Sequence, residues 1–379
     1  MDCVTQPTLT ATDAGFAAPV AASVGPKTGR SGEPVLSVRD LKTHFTLDEG
    51  VVKAVDGVSF DLYPGEVVGI VGESGCGKSI TMKSILRLVQ KPGRIVAGEI
   101  VYRRPHDKAG ADGARFKPFE ADLAKLPPQG RRMRRVRGGD IALIPQEPMA
   151  SFSPLNTIGE QIVEAIRLHN QVSAARAKQI AIDKLREVGM PTPEQRFASY
   201  SWQLSGGLRQ RAIIAMALSC NPAVLIADEP TTAIDVTTQA QVLELLRQLQ
   251  RDHGSSILFI THDLGVIAQV ADYVVVMYLG KVMEQGPVSD IFHRPLHPYT
   301  RALLKSMPSL YSEPRVALPT VAGNIPHPLH RPEGCAFHPR CPDFMPGKCD
   351  VHVPALVAVD GGSPVACFLH HDQVEGQDG

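Results

Sequence analysis

Long apolar runs are missing from this 379-residue chain, and so is an excess of charge of either sign. No uninterrupted apolar stretch approaches the roughly 18 residues that span a bilayer, so a role at a membrane would run through a partner. Lysine and arginine number 39, as do aspartate and glutamate, which removes a global bias toward nucleic acid or an anionic surface. The first residues lack the charged start and continuous apolar segment of a secretion signal. Residues 1–33, rich in Ala, Thr, Gly and Pro, read as a disordered leader. The odd total of seven cysteines argues against a complete disulfide framework. What remains is an ordinary apolar fraction of 43% and enough length for one large domain plus a smaller one.

The chain is organised around Glu66 to Leu88, EVVGIVGESGCGKSITMKSILRL, an apolar strand, a glycine-rich turn and then a helix. The turn Gly72-Glu73-Ser74-Gly75-Cys76-Gly77-Lys78-Ser79 fits G-x-x-x-x-G-K-[ST] in the strand-to-helix context that a phosphate cradle requires. Glycines at 72, 75 and 77 permit backbone angles that a Cβ forbids, so successive N–H groups can turn onto one anion. The phosphate meets a helix N-terminus, Lys78 adds a point charge, and the Ser79 hydroxyl can ligate Mg²⁺. Cys76 lies beside Lys78 and the helix start, both of which lower a thiol pKa; it is either a reactive thiol that alkylation would block or an inert spacer.

Taken in order, residues 35–45 (VLSVRDLKTHF) and Ala54 to Leu62 read as strands ahead of the cradle. Phe45 is either a core aromatic or a ring that stacks on adenine. A short strand, Glu99 to Tyr102, precedes a polar, basic stretch from Arg103 to Asp140 that reads as a solvated insertion edge, with too few aromatics for base stacking. IALIPQEP is a strand that presents Gln146 from a loop. Thr157 with Glu160 makes a capping box for one helix, and Ser173 opens a second that Gly189 ends. Leu204-Ser205-Gly206-Gly207 starts another helix and forms an anion site without a lysine, suited to another subunit's nucleotide. AVLIAD is a buried parallel strand ending on Asp228 and Glu229, a Mg²⁺ ligand and a proton acceptor for an attacking water. Asp235 precedes a helix, and SSILFITHD carries His262 to the edge where ligands bind in open parallel sheets.

These residues resemble an ATP-binding cassette (ABC) ATPase from about residue 35 to residue 290, with the signature LSGG at 204–207 separating it from other phosphate-cradle proteins. The resemblance implies an α/β nucleotide-binding domain over residues 34–292, with a helical signature subdomain at about 150–220 and an antiparallel β edge. It implies that Phe45 stacks on adenine, that residues Gly72 and Ser74 to Ile80 hold the phosphates, and that Ser79, Gln146 and Asp228 serve Mg²⁺. Glu229 becomes the general base and His262 a γ-phosphate contact, with Gln146 coupling hydrolysis to the transporter. Ser205, Gly206, Gly207 and Gln210 act in trans on a second cassette's ATP, and Asp235 lies at the dimer seam. Pro145, where an aromatic is common, and Ile234, in place of leucine, depart from the pattern without removing a functional group.

LHPYTRALLKSMP at 296–308, GVVKAVDGVSFDL near the start and the C-terminal GCAFHPRCPDFMPGKCD narrow the resemblance to ATPases of oligopeptide, dipeptide and nickel importers. That implies a small loop-rich C-terminal domain at 293–372 with a tail at 373–379. It also implies a second ATPase subunit, two transmembrane permeases, an extracytoplasmic binding protein and a place on the cytoplasmic face of the membrane, with no nucleic acid. Cys335, Cys341, Cys349 and Cys367 are separated by five, seven and seventeen residues in a Pro/Gly-rich stretch. In a cytosolic protein such thiols suit zinc or an iron–sulfur cluster. The missing Cys-x₂-Cys knuckle weakens zinc, and the resemblance favours [4Fe–4S]. The competing readings are import of nickel or another small solute, and a non-transport cassette ATPase in repair or translation; a phosphate-cradle kinase has no reason to keep LSGG.

Overall fold

The computed structural model describes residues 30, 32–105, 113, 117–147, 151–232, 235–307, 321–359 and 362–373. Most of the expected leader, the chain end from 374 and Ile234 lie outside the described residues. Arg30, placed in the leader by sequence, is held: its Nε donates to Glu66 at 2.9 Å and its guanidinium lies over the Tyr273 ring.

Two sheets carry the fold. Strands β1 (Leu36–Leu47) and β2 (Gly50–Leu62) form a hairpin, joined by β4 (Gly93–Arg103) and β5 (Glu120–Asp122) in an antiparallel sheet of order β2-β1-β4-β5. The expected strands were shorter, because each runs past its apolar segment into residues that only cross-strand pairing keeps extended, such as Phe45 opposite Val52 and Gly93. The larger sheet is built on β3 (Val67–Val71), with β9 (Tyr273–Tyr278) on one side and β8 (Ser256–Ile260), β7 (Val224–Asp228) and β6 (Ile141–Ile144) on the other. All of these neighbours are parallel. Alternate residues of the central strands enter two different cores. Val67, Val71, Phe259 and Ala227 face the helical side, whereas Val68, Ile70, Leu258 and Ile226 face helix α1 (Lys78–Ile85) and the antiparallel sheet. Burial on both faces explains why these strands read as continuous apolar runs.

Helix α2 (Arg131–Gly139) forms where the sequence suggests a solvated edge. Its arginines 131, 132, 134 and 135 are exposed, but Met133 and Val136, three apart on one face, are 0% and 1% exposed in the core beneath. Two apolar residues among arginines are too weak a periodic signal to read from sequence. Arg104 and Asp140, at the two ends of the same stretch, pair while buried, at 2.6 and 2.9 Å. Helices α3 (Ile158–His169), α4 (Ala174–Glu187) and α5 (Gly206–Leu218) make the expected helical subdomain, and both sides of the Thr157–Glu160 capping box are present. Helix α6 (Val236–His253) buries Val242, Leu246 and Leu249 in the core on the helical side and ends at Gly254.

The small C-terminal part is joined to the main sheet by strand pairing. β10 (Lys281–Pro287) pairs with β9 and also with β12 (Pro364–Val365), which in turn pairs with β11 (Val357–Ala358). Tyr299 in helix α7 (Pro298–Lys305), Phe337, Cys335 and Cys349 belong to the same core as the signature subdomain.

Candidate functional site

Because β3, β6, β7 and β8 run parallel, their C-terminal ends share one edge, and the cradle, Gln146, Asp228 with Glu229, and His262 all follow those ends. The cradle requires its glycines. A Cβ on Gly72 would stand 2.1 Å from the Met277 carbonyl oxygen, and one on Gly77, at φ +104, would stand 2.4 Å from that of Ala54. Lys78 is buried, and its Nζ donates to the Gly72 and Glu73 carbonyls at 2.7 and 3.1 Å, which places the ammonium within the loop. Ser74 and Gly75 are exposed at the mouth, whereas Ile80 packs half-buried on the core below.

Of the two readings of Cys76, burial decides between the activated thiol and the spacer. The residue is buried, and burial pushes the thiol up although Lys78 lies beside it. The same position that brings the lysine close excludes the water that a thiolate needs, so the inert-spacer alternative stands. Phe45 is half-buried with its ring over Gly93, where a Cβ would approach within 2.5 Å. Part of that ring is thereby accounted for by packing.

The Ser79 hydroxyl donates to Asp228 Oδ1 at 3.3 Å, bringing two hard oxygen ligands together at the helix start. Burial holds the Asp228 carboxyl above the usual carboxylate range, against the Ser79 hydrogen bond, with the Glu229 charge adding to the rise. A buried carboxyl next to a hydroxyl fits Mg²⁺, which would favour its ionised form. Glu229 is the hub of the edge. Gln146 Nε2 and Thr232 Oγ1 each donate to its Oε2 at 2.9 Å, and His262 Nδ1 lies 3.2 Å from Oε1. The residue adopts a left-handed backbone at φ +46 and its N–H donates to the Ile260 carbonyl on β8. Strain of this kind at a non-glycine persists only where the surroundings over-determine it. Sequence reasoning missed Thr232; its position three residues after Glu229 carries no signal without the turn that folds it back.

Ser205 caps α5 by accepting the Leu208 N–H at 3.4 Å. Beyond its chain neighbours and its own helix backbone, no described atom lies within 4 Å of where a Cβ on Gly206 would stand, while Gly207 backs onto Thr238 at 3.1 Å. Asp235 caps α6 through Thr238, so Asp235 and the signature start meet at one threonine. Gln210 departs from expectation: it is fully buried and donates to the Pro230 carbonyl at 2.9 Å. Its side chain ties the signature helix to the turn after Glu229 and does not face outward.

The ABC transporter family model matches residues 55–232, and the oligopeptide/dipeptide transporter C-terminal region matches residues 283–349. A probable peptide ABC transporter ATP-binding protein of Sinorhizobium fredii is 46% identical over 341 residues, covering 90% of this chain and 96% of that protein. The chain belongs to the ABC transporter ATPases. An oligopeptide transport ATP-binding protein of Bacillus subtilis is 46% identical over 89% of this chain and 98% of its own length. A dipeptide transport ATP-binding protein of Escherichia coli is 41% identical over 89% and 97%. A solved dimeric bacterial ABC transporter cassette superposes with a TM-score of 0.55 at 25% identity, over 67% of this chain and 98% of that one.

For the four C-terminal cysteines of this ABC ATPase, the geometry gives the expected cluster no support. Among the described residues no group of three or more His, Cys, Asp or Glu side chains is placed to hold a metal ion. Cys335, Cys341, Cys349 and Cys367 are free thiols. Burial pushes Cys341 up to about 11 and Cys367 up to about 12, and neighbouring cysteines add to both. Among the described residues no helix is long and apolar enough to cross a membrane.

Proposed function

We propose that this ATPase powers import of short peptides through separate membrane subunits, hydrolysing ATP in a head-to-tail pair with a second cassette subunit. The observation that carries the hydrolytic half is the convergence of Gln146, Thr232 and His262 on Glu229, on the sheet edge that also bears the cradle. In this reading Lys78 and the cradle amides hold the phosphates, and Ser79 and Asp228 hold Mg²⁺, which supplies charge stabilisation at the β and γ phosphates. Glu229 takes a proton from the attacking water as its oxygen bonds to the γ phosphorus and the bridging bond to ADP breaks. His262 and Gln146 orient that carboxylate and the transferred group. The open space at Gly206 supports the paired arrangement, because no packing among the described residues accounts for a glycine there, whereas a phosphate approaching from another subunit would. Phe45 stacks on adenine with its free face, and Asp235 lies at the seam.

Peptide cargo is supported by the relatives, which are described as peptide, oligopeptide and dipeptide transport proteins. The subunit sits on the cytoplasmic face of the membrane with two permeases, a partner ATPase that can differ from it, and a binding protein outside. The cysteines stay outside this reading as a metal site; iron, sulfide and zinc analysis of anaerobically purified protein is the measurement that would bring them back. The decisive experiment is reconstitution with the permeases and binding protein in liposomes. Di- to pentapeptides are expected to stimulate ATP hydrolysis and to accumulate inside, and Lys78→Ala to abolish both. Stimulation by nickel complexes alone, with none by peptides, would remove the peptide reading.

A further inference from the structure

One cradle residue is committed at every polar group it has. Glu73 donates its N–H to Tyr299 Oη at 2.9 Å. Its carbonyl accepts Lys78 Nζ and the Cys76 N–H. Its carboxylate accepts a two-pronged pair from Arg340, at 2.7 and 3.1 Å. Neither gripping side chain comes from the nucleotide-binding strands and helices: Tyr299 is in α7 and Arg340 stands just before Cys341.

The guanidinium itself is saturated. Its five N–H groups meet the two Glu73 oxygens, the Tyr278 hydroxyl at 3.3 Å, and the Val321 and Ala322 carbonyls at 3.0 and 2.9 Å. Its side chain is 3% exposed, so the charge is compensated only in this arrangement. The guanidinium lies over the Tyr278 ring, which packs with Tyr299 and Phe337 at ring-centroid separations of 4.9 to 5.4 Å, Phe337 edge to face with Tyr278. Two peptide carbonyls of the C-terminal segment therefore fix the arginine, and the arginine fixes the loop that surrounds the phosphates.

We propose that Arg340 and Tyr299 are positioning residues for the cradle, so that the docked C-terminal segment sets the affinity for MgATP. The inference rests on the cradle being the MgATP site. If Arg340 served packing alone, its partners would be indifferent to nucleotide. As a positioning residue it is linked to nucleotide in both directions: the docked segment tightens MgATP binding, and MgATP tightens docking of the segment.

The test uses the full chain, with MgATP affinity read from a fluorescent ATP analogue and from the split of KM and kcat. Arg340→Met is expected to weaken MgATP binding about tenfold, the size of a lost charge-assisted pair. Tyr299→Phe, which deletes only the hydroxyl, should raise the KM for ATP about threefold with kcat changed less than twofold. In the Glu73→Ala background, Arg340→Met should add nothing, since both act through one contact. MgATP should also slow amide exchange over residues 335–341 in the native protein and not in Arg340→Met. Native ATP affinity in both folded single variants, or additive losses in the double variant, would overturn the proposal. Lys78→Ala, run alongside, must abolish MgATP binding; if it does not, the fault lies with the reading of the cradle and not with the grip on it.

Discussion

At the scale of single residues, the proposed hydrolysis rests on how Glu229 is held. Three neighbours from three loops hold one carboxylate, and a left-handed backbone aims it. Glu229→Gln keeps the shape and the contact from Thr232 but removes the proton acceptor. Steady-state ATP hydrolysis should fall by at least ~10², while MgATP binding persists and the closed pair accumulates on size exclusion. Near-normal turnover would take Glu229 out of the role. The positions of these residues at strand and helix ends were readable, because acid after a buried strand and lysine after glycines follow from local spacing. For Cys76 the sequence left two readings open and for Gln210 it suggested an outward contact; in both cases solvent exclusion decides what the side chain does.

At the scale of elements, local signals sufficed where they were redundant. The α3 capping box and the Gly254 stop of α6 each repeat the message of the apolar pattern. Helix α2 lacked that redundancy, since four exposed arginines surround its two core residues. Met133→Ala should therefore destabilise the protein by about 2 to 4 kcal/mol, as for a buried large-to-small change, whereas Arg132→Ala should cost less than about 0.5 kcal/mol. Urea unfolding of the two variants checks this. Equal, small effects would mean that α2 lies on the surface as its composition suggests.

At the scale of the molecule, the C-terminal segment closes onto the sheet and the cradle, with His297 buried at the junction. Burial first, then the charges of His370 and Arg301, push its imidazole down to about 3. Its Nδ1 accepts the Tyr299 N–H at 3.0 Å, which also requires a neutral ring. The unfolded chain binds a proton near pH 6.5 and the folded one does not, so this contribution to stability is full above pH 6.5 and is lost as pH falls toward 3. The slope is roughly 1.4 kcal/mol per pH unit. Denaturant unfolding between pH 7 and 5 should show that loss, and His297→Asn should flatten it; an unchanged slope would mean that His297 is protonated in the fold. The sequence by itself determined the phosphate cradle, the strand-end acids, the signature helix and the family, because each depends on residue type at a fixed local spacing. Only the tertiary structure decided which strand ends share an edge, that Cys76 and Gln210 are enclosed, and that Arg340 reaches Glu73. Those facts depend on contacts between residues far apart in the chain, and hydrophobic burial brings such residues together without leaving a periodic trace.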